Sequence, residues 1–113
     1  MVEVNIDFKE KYCIIEIHGE VDASSSIHLD EALQKAVNAD CPKILVDCQD
    51  LQYISSAGLG VFMSYIQELE VKQKKLILFN MHEKVYKVFE ILGLHQLLTI
   101  VDTEEKAKKD FVE

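Results

Sequence analysis

Apolar segments suited to β-strands alternate along this chain with amphipathic segments suited to α-helices, and this alternation constrains the fold more than any other feature. Residues 43–48 predict a buried strand, and residues 57–72 predict a helix because apolar side chains recur every three or four positions. The order continues with a strand at 75–80, a helix at 82–92, a short strand near 97–101 and a helix at 102–112. Such alternation implies a largely parallel sheet with right-handed crossovers.

The first part of the chain departs from this order. Residues 2–8 alternate apolar and polar side chains, residues 12–17 are apolar on both faces, and only a short polar turn separates them, so the two strands should form an antiparallel hairpin. A helix at 25–39 follows, and Pro42 separates it from the next strand. The sequence therefore predicts a single α/β domain over residues 1–113, with a mixed, mostly parallel sheet and about four helices.

Composition narrows the possible partners. The net charge of −8 argues against nucleic acid and anionic membranes, which bind clustered Lys and Arg, and favours basic protein surfaces. No apolar run approaches the roughly 20 residues of a membrane span, and no signal-peptide pattern opens the chain. We therefore expect a cytoplasmic protein without direct membrane contact.

The three cysteines are an odd number without a Cys-x-x-Cys spacing. This pattern is typical of reduced thiols, and it indicates neither a disulfide framework nor a zinc site. Cys13 and Cys48 lie within apolar strand patterns and should be small core residues.

Two adjacent serines, Ser55 and Ser56, lie where a loop becomes the helix at 57–72. Serine is favoured there because its hydroxyl can accept from an unpaired amide of the first helical turn. Gly58 and Gly60 leave that turn without side-chain bulk, so another backbone or a partner surface could approach it. From residue types alone two interpretations stay open: one serine caps the helix, or one serine is a regulatory site.

Other chemistries find little support in the sequence. The serine pair lacks the Gly-x-Ser-x-Gly elbow of hydrolases, and Gly58-x-Gly60 lacks the third glycine and the lysine of nucleotide-binding loops. Asp47 resembles the phosphate-accepting aspartate of receiver domains, but the accompanying acidic cluster is missing, which favours a strand-end or turn residue. We therefore predict no enzymatic activity, no metal site and no cofactor.

Polar residues also follow two other predicted strands. Asp22 and Asn80 each have a simple explanation as turn or loop residues. However, loops at the carboxyl ends of parallel strands gather at one edge of a sheet, where ligands usually bind. On this basis we expect Asp22, Ser56 and Asn80 to be neighbours, and we predict a recognition surface there.

Several motifs together resemble one protein family. They are the opening hairpin, Gly-Glu-Val-Asp at 19–22, the apolar strand into Asp47, Ser-Ser-Ala-Gly-Leu-Gly at 55–60, Leu-Ile-Leu-Phe-Asn at 76–80 and Val-Phe-x-Ile-Leu-Gly-Leu at 88–94. Over nearly its whole length the chain resembles the STAS family, specifically its stand-alone anti-sigma-factor antagonists.

This resemblance implies a role for each residue of the central motif. The family motif is commonly Asp-Ser-Ser/Thr-Gly-Leu-Gly, and a partner kinase phosphorylates its first serine. Alignment on the glycines places that serine at Ser56, with Ser55 at the usual aspartate position as an alternative site of modification. The implied partner-binding residues are Asp22, Ser55, Ser56, Ala57, Gly58, Leu59 and Asn80.

The resemblance also implies the partners. The unmodified protein would bind an anti-sigma factor that is also a serine kinase, phosphorylation would end this binding, and a PP2C-type phosphatase would reset it. The ATP belongs to the kinase, so this chain needs no cofactor. The main alternative is a STAS scaffold subunit of a sensory or membrane-transport complex that is never phosphorylated. A small enzyme or nucleotide-binding domain is the third hypothesis.

Overall fold

The computed structural model of the protein describes residues 2–109, and in this range five strands form one mixed sheet. The strands are β1 (Val2–Phe8), β2 (Tyr12–Val21), β3 (Lys43–Ile54), β4 (Lys75–Phe79) and β5 (Thr99–Ile100). They lie side by side in chain order, with β1 antiparallel to β2 and all later neighbours parallel. This arrangement confirms the predicted mixed sheet and its opening hairpin.

The helices connect the strands as predicted, but two of them differ in extent. They are α1 (Ser26–Asn38), α2 (Ser56–Ser64), α3 (Ile66–Val71), α4 (Glu83–Ile91) and α5 (Glu104–Lys108), with a 3-10 turn at Leu94–Gln96. The predicted helix at 57–72 is divided into α2 and α3. The predicted helix at 102–112 is the shorter α5, and its positions 110–112 lie outside the described residues.

The division between α2 and α3 falls at Tyr65 and has a physical cause. The Ser64 hydroxyl donates to the Val61 carbonyl oxygen at 2.7 Å, a contact that bends helices. The Tyr65 hydroxyl donates to an Asp30 carboxylate oxygen on α1 at 2.8 Å. The prediction of one continuous helix was therefore wrong, because the tyrosine is held by a residue distant in the sequence.

Strands β2 and β3 both run farther than the sequence pattern predicted, to Val21 and Ile54 instead of positions 17 and 48. Exposed residues such as Glu20 and Gln52 interrupt the apolar pattern in these extensions, and the β2–β3 register shifts twice there. Val21 and Ile54 are paired neighbours in the sheet. The loops that follow them therefore begin side by side.

The core has two parts, one on each face of the sheet. The larger cluster lies between one face and helices α1 to α4. The smaller cluster, on the opposite face, contains Leu45, Ile77, Phe79 and Ala107, so α5 covers β4 there. Within residues 2–109, no helix combines the length and the apolar character that crossing a bilayer requires.

All three cysteines are buried, as predicted for Cys13 and Cys48. Burial raises the pKa of the Cys13 thiol to about 12 and also raises the pKa of Cys48. These thiols are therefore uncharged near neutral pH and behave as small apolar side chains.

Helix α2 packs onto the ends of β2 and β3 through Gly58. A Cβ atom at this position would lie 2.7 Å from Ile54 Cγ1 and 2.8 Å from Val21 Cγ1, whereas a Cβ at Gly60 would meet nothing within 4 Å. Ile54 and Val21 are β-branched side chains with stiff rotamers, so they yield little space. The missing side chain at Gly58 thus makes room for the protein's own Val21 and Ile54, whereas Gly60 leaves open space on the exposed side of α2.

We predict opposite effects for alanine at the two glycines. Gly58→Ala should lower the free energy of unfolding by about 1–3 kcal/mol, because it overpacks a filled site. Gly60→Ala, the matched control on the same helix, should raise it by about 0.5–1 kcal/mol through helix propensity. Urea unfolding measures both changes. Equal effects of the two substitutions would contradict the packing described for Gly58.

Candidate functional site

Ser55 joins strand β3 to helix α2, and its N–H, carbonyl and hydroxyl groups all form hydrogen bonds within the protein. Its backbone N–H donates to the Val21 carbonyl oxygen at 2.8 Å, and its carbonyl oxygen accepts from the Leu59 N–H at 3.0 Å. Its hydroxyl accepts from the Gly58 N–H at 3.3 Å, which makes Ser55 the N-cap of α2. Of the two interpretations of the serine pair, helix capping is therefore the one that describes Ser55.

Ser56 is placed differently, because it is the first residue of α2 and is exposed. Ala57 beside it is also exposed. The N–H groups of these two residues have no acceptor within the helix, as in any first helical turn, and no acidic side chain lies in the first turn. The Ser56 hydroxyl therefore lies at the positive end of a helix, where a second molecule can reach it.

The exposed side of α2 combines small and apolar residues. Ser56, Gly60 and Met63 follow one another at intervals of four and three positions and are all exposed, Met63 by 39%. Tyr53, just before the loop, is 51% exposed. The sequence analysis assigned neither residue to the site: Met63 counts among the apolar side chains whose period predicted the helix, and Tyr53 belongs to no motif that signals exposure. We call Tyr53, Ser56, Ala57, Gly60 and Met63 the α2 surface.

Two of the residues predicted to bind a partner lie below this surface. Gly58 is buried, and Leu59 is only 2% exposed because its side chain belongs to the larger core cluster. They hold α2 against the strand ends, and their side chains are not available to a partner. The helical period explains this result, since Leu59 and Phe62 form the inner face of α2.

Asp22 organises the neighbouring loop. One of its carboxylate oxygens accepts from the Ser24 N–H at 3.1 Å and hydroxyl at 2.9 Å, and from the Ser25 N–H at 2.9 Å and hydroxyl at 2.8 Å. These bonds, foremost those from Ser25, lower the pKa of Asp22 to about 2. The local role that the sequence suggested for Asp22 is thus confirmed. Because Val21 accepts from the Ser55 N–H, this loop also adjoins the α2 surface.

Asn80 follows β4 but lies away from the serine loop. Its side-chain amide is 3.4 Å from an Asp47 carboxylate oxygen, and its N–H donates to the Asp102 carbonyl oxygen at 3.2 Å. Pairing of β3 with β4 ends at Asp47, seven residues before Ile54. That interval is about 23 Å along a strand. The structure therefore brings Asp22 and Ser55 together and places Asn80 elsewhere, because β3 runs so much farther than β4.

The described residues present no arrangement suited to metal or triad chemistry. Within residues 2–109, no group of three or more His, Cys, Asp or Glu side chains is placed to hold a metal ion. His18 Nδ1 lies 2.8 Å from an Asp50 carboxylate oxygen, which raises the pKa of His18. The other ring nitrogen of His18, Nε2, lies 3.9 Å from a Glu16 carboxylate oxygen, so this His–Asp pair faces a second carboxylate and not a serine hydroxyl.

Comparison with known proteins agrees with this fold. The family model described as STAS domain matches residues 3–107. The anti-sigma-B factor antagonist of Listeria monocytogenes is 29% identical over 106 residues, which cover 91% of this chain and 93% of that protein.

Two solved structures of SpoIIAA share the fold. Unphosphorylated SpoIIAA, an anti-sigma factor antagonist, has a TM-score of 0.81 at 24% identity and covers 96% of each chain. The phosphorylated form of SpoIIAA from Bacillus has a TM-score of 0.73 at 22% identity, covering 98% of this chain and 100% of that one. The match to the family model spans nearly the whole sequence, and the chain belongs to the STAS domain family.

The hydrogen bonds of Asp22 predict its titration. Because its pKa is lower in the folded protein than the usual 3.8, the Asp22 bonds stabilise the fold fully above about pH 4, and this contribution is lost as the pH falls towards 2. Carboxyl-detected NMR should give Asp22 a midpoint near 2, and Ser25→Ala should move it towards 3.8. An Asp22 midpoint near 3.8 in the unmodified protein would show that these bonds are not made in solution.

Proposed function

We propose that this protein is an anti-sigma-factor antagonist that binds an anti-sigma factor with serine kinase activity through the α2 surface. Phosphorylation of Ser56 by that kinase ends the binding, and a PP2C-type phosphatase restores it. The observation that carries the proposal is the exposed hydroxyl of Ser56 at the open N-terminus of α2, next to exposed Tyr53 and Met63. The name of the Listeria relative supports the antagonist role, and the phosphorylated form of SpoIIAA supports a phosphorylated state on this fold.

The two serines differ in their availability to a kinase. Ser55 is half-buried and its hydroxyl caps α2, so its modification would break the Gly58 contact. Ser56 is exposed, and its side chain is not the cap of the helix. In the proposed reaction the Ser56 Oγ attacks the γ-phosphorus of kinase-bound ATP, ADP leaves, and the hydroxyl proton passes to the kinase or to water. We therefore assign the modification to Ser56.

Phosphorylation of Ser56 should lower the free energy of binding much more than the free energy of unfolding. A phosphate on Ser56 adds about 1.5–2 negative charges at neutral pH. The α2 N-terminus stabilises this charge by roughly 0.3–1 kcal/mol in the free protein. Burying the same charge in an interface without dedicated cations costs several kcal/mol, on the order of a hundredfold or more in affinity. Phosphorylation should therefore repel the partner while the domain stays folded.

Substitutions at the serine pair test this function by isothermal titration against the cognate anti-sigma kinase. Ser56→Ala should bind the kinase as tightly as the unmodified protein does and should stay bound when ATP is present. Ser56→Asp should bind at least about tenfold more weakly because of its charge. Gln67→Asp, an exposed position on α3, adds the same charge elsewhere and should bind normally. Ser55→Ala should cost about 1 kcal/mol of stability through loss of the cap and remain a substrate at Ser56.

Mass spectrometry after incubation with the kinase and ATP provides the decisive readout. One added phosphate that maps to Ser56 is the expected result. No added phosphate, with binding of the kinase unaffected by Ser56→Asp, would contradict the proposal and favour the unphosphorylated scaffold alternative.

A further inference from the structure

Strand β1 is an edge of the sheet whose long side has no neighbouring strand among residues 2–109. Its seven residues pair with β2 in an uninterrupted register from Val2 opposite Gly19 to Phe8 opposite Cys13. An exposed edge of this kind offers unpaired backbone N–H and C=O groups to another strand. The other edge, β5, has only two residues, Thr99 and Ile100, and so offers little for pairing.

The sequence of β1 lacks most of the devices that protect edge strands. Val2–Phe8 contains no proline, glycine or lysine, and its register shows no bulge. Its exposed charges are Glu3 and Asp7, both acidic, and Lys9 in the following turn lies 2.9 Å from an Asp7 carboxylate oxygen. In an antiparallel pair of two β1 strands centred on Asn5, Glu3 would lie opposite Asp7 of the other copy. Like charges directly opposite are destabilising, so these residues oppose self-pairing.

The helix-facing side of β1 is apolar and incompletely covered. Val2, Val4 and Ile6 are half-buried against the larger core cluster. A groove of about 170 Å³ runs between them and α1, which contributes Ala32 together with the polar side chains of His28, Glu31 and Lys35. Side chains of an added strand would alternate between this groove and the acidic side of β1.

We propose that the β1 edge binds an extended segment of a partner protein in which apolar and basic residues alternate, as a sixth strand of the sheet. The apolar residues of that segment enter the groove beside Val4 and Ile6. Its Lys or Arg residues face Glu3 and Asp7, whose charge excludes a second copy of this chain and attracts a basic strand. Backbone hydrogen bonds give such strand addition its affinity, and the alternate side chains give specificity.

A labelled synthetic peptide, acetyl-Lys-Val-Lys-Val-Lys-Val-Lys-amide, tests this site. Fluorescence anisotropy should show saturable binding, and NMR shift changes should concentrate at 2–8 and at the groove-lining residues of α1. A peptide with the same sequence but alternate backbone amides N-methylated keeps the charge and cannot form the ladder, so it should bind at least about tenfold more weakly. Equal binding of the two peptides would overturn the proposal.

Charge-reversal variants distinguish peptide binding at the β1 edge from a general attraction of the basic peptide to an acidic protein. Glu3→Lys with Asp7→Lys should weaken binding of the peptide by about tenfold or more. Glu70→Lys with Glu90→Lys changes the net charge equally at exposed positions on α3 and α4 and should leave binding near its original value. Equal losses of peptide affinity in the two double variants would overturn the proposal, and so would self-association of the unmodified chain through β1. Ser56→Asp should not change this binding, so the outcome is independent of the function proposed for Ser56.

Discussion

The hydrogen bond from the Ser55 N–H to the Val21 carbonyl oxygen holds the start of α2 at the ends of β2 and β3. The rest of the site depends on this contact. This hydrogen bond continues the pairing of β2 with β3 to the last residue before α2. Gly58 then lets the first turn of α2 lie directly on Val21 and Ile54. Because the strand ends and the helix start are held together, the orientation of the next side chain, Ser56, is determined by the fold.

In the first turn of α2, some residues hold the helix in place and their neighbours face solvent. Ser55 caps the helix, and Gly58 and Leu59 anchor it in the core. Ser56 and Ala57 are exposed and take no part in that packing. A charge added at Ser56 therefore meets water and the helix dipole in the free protein, and in the proposed complex it would face the partner. With this separation, the proposed modification would change binding without changing the fold.

The sequence predicted most of the fold because each strand and helix has a clear apolar period. The site at Ser56 was implied by the resemblance of its motif to the family pattern, and it stays a prediction. The sequence could not reveal features that depend on distant contacts. The extension of β3 to Ile54 rests on pairing with β2, although exposed Gln52 breaks the pattern. The division at Tyr65 rests on a bond to Asp30, 35 residues away. The position of Asn80 followed from the unequal lengths of β3 and β4, which no local pattern encodes.

Phosphate on Ser56 should repel the partner and leave the domain folded. The most direct measurement compares the phosphorylated protein with the unmodified protein in two assays on the same samples, urea unfolding and titration with the anti-sigma kinase. We expect free energies of unfolding equal within about 1 kcal/mol and an affinity lowered on the order of a hundredfold, equivalent to about 2.7 kcal/mol. A loss of folding free energy as large as the loss of binding free energy would contradict this expectation.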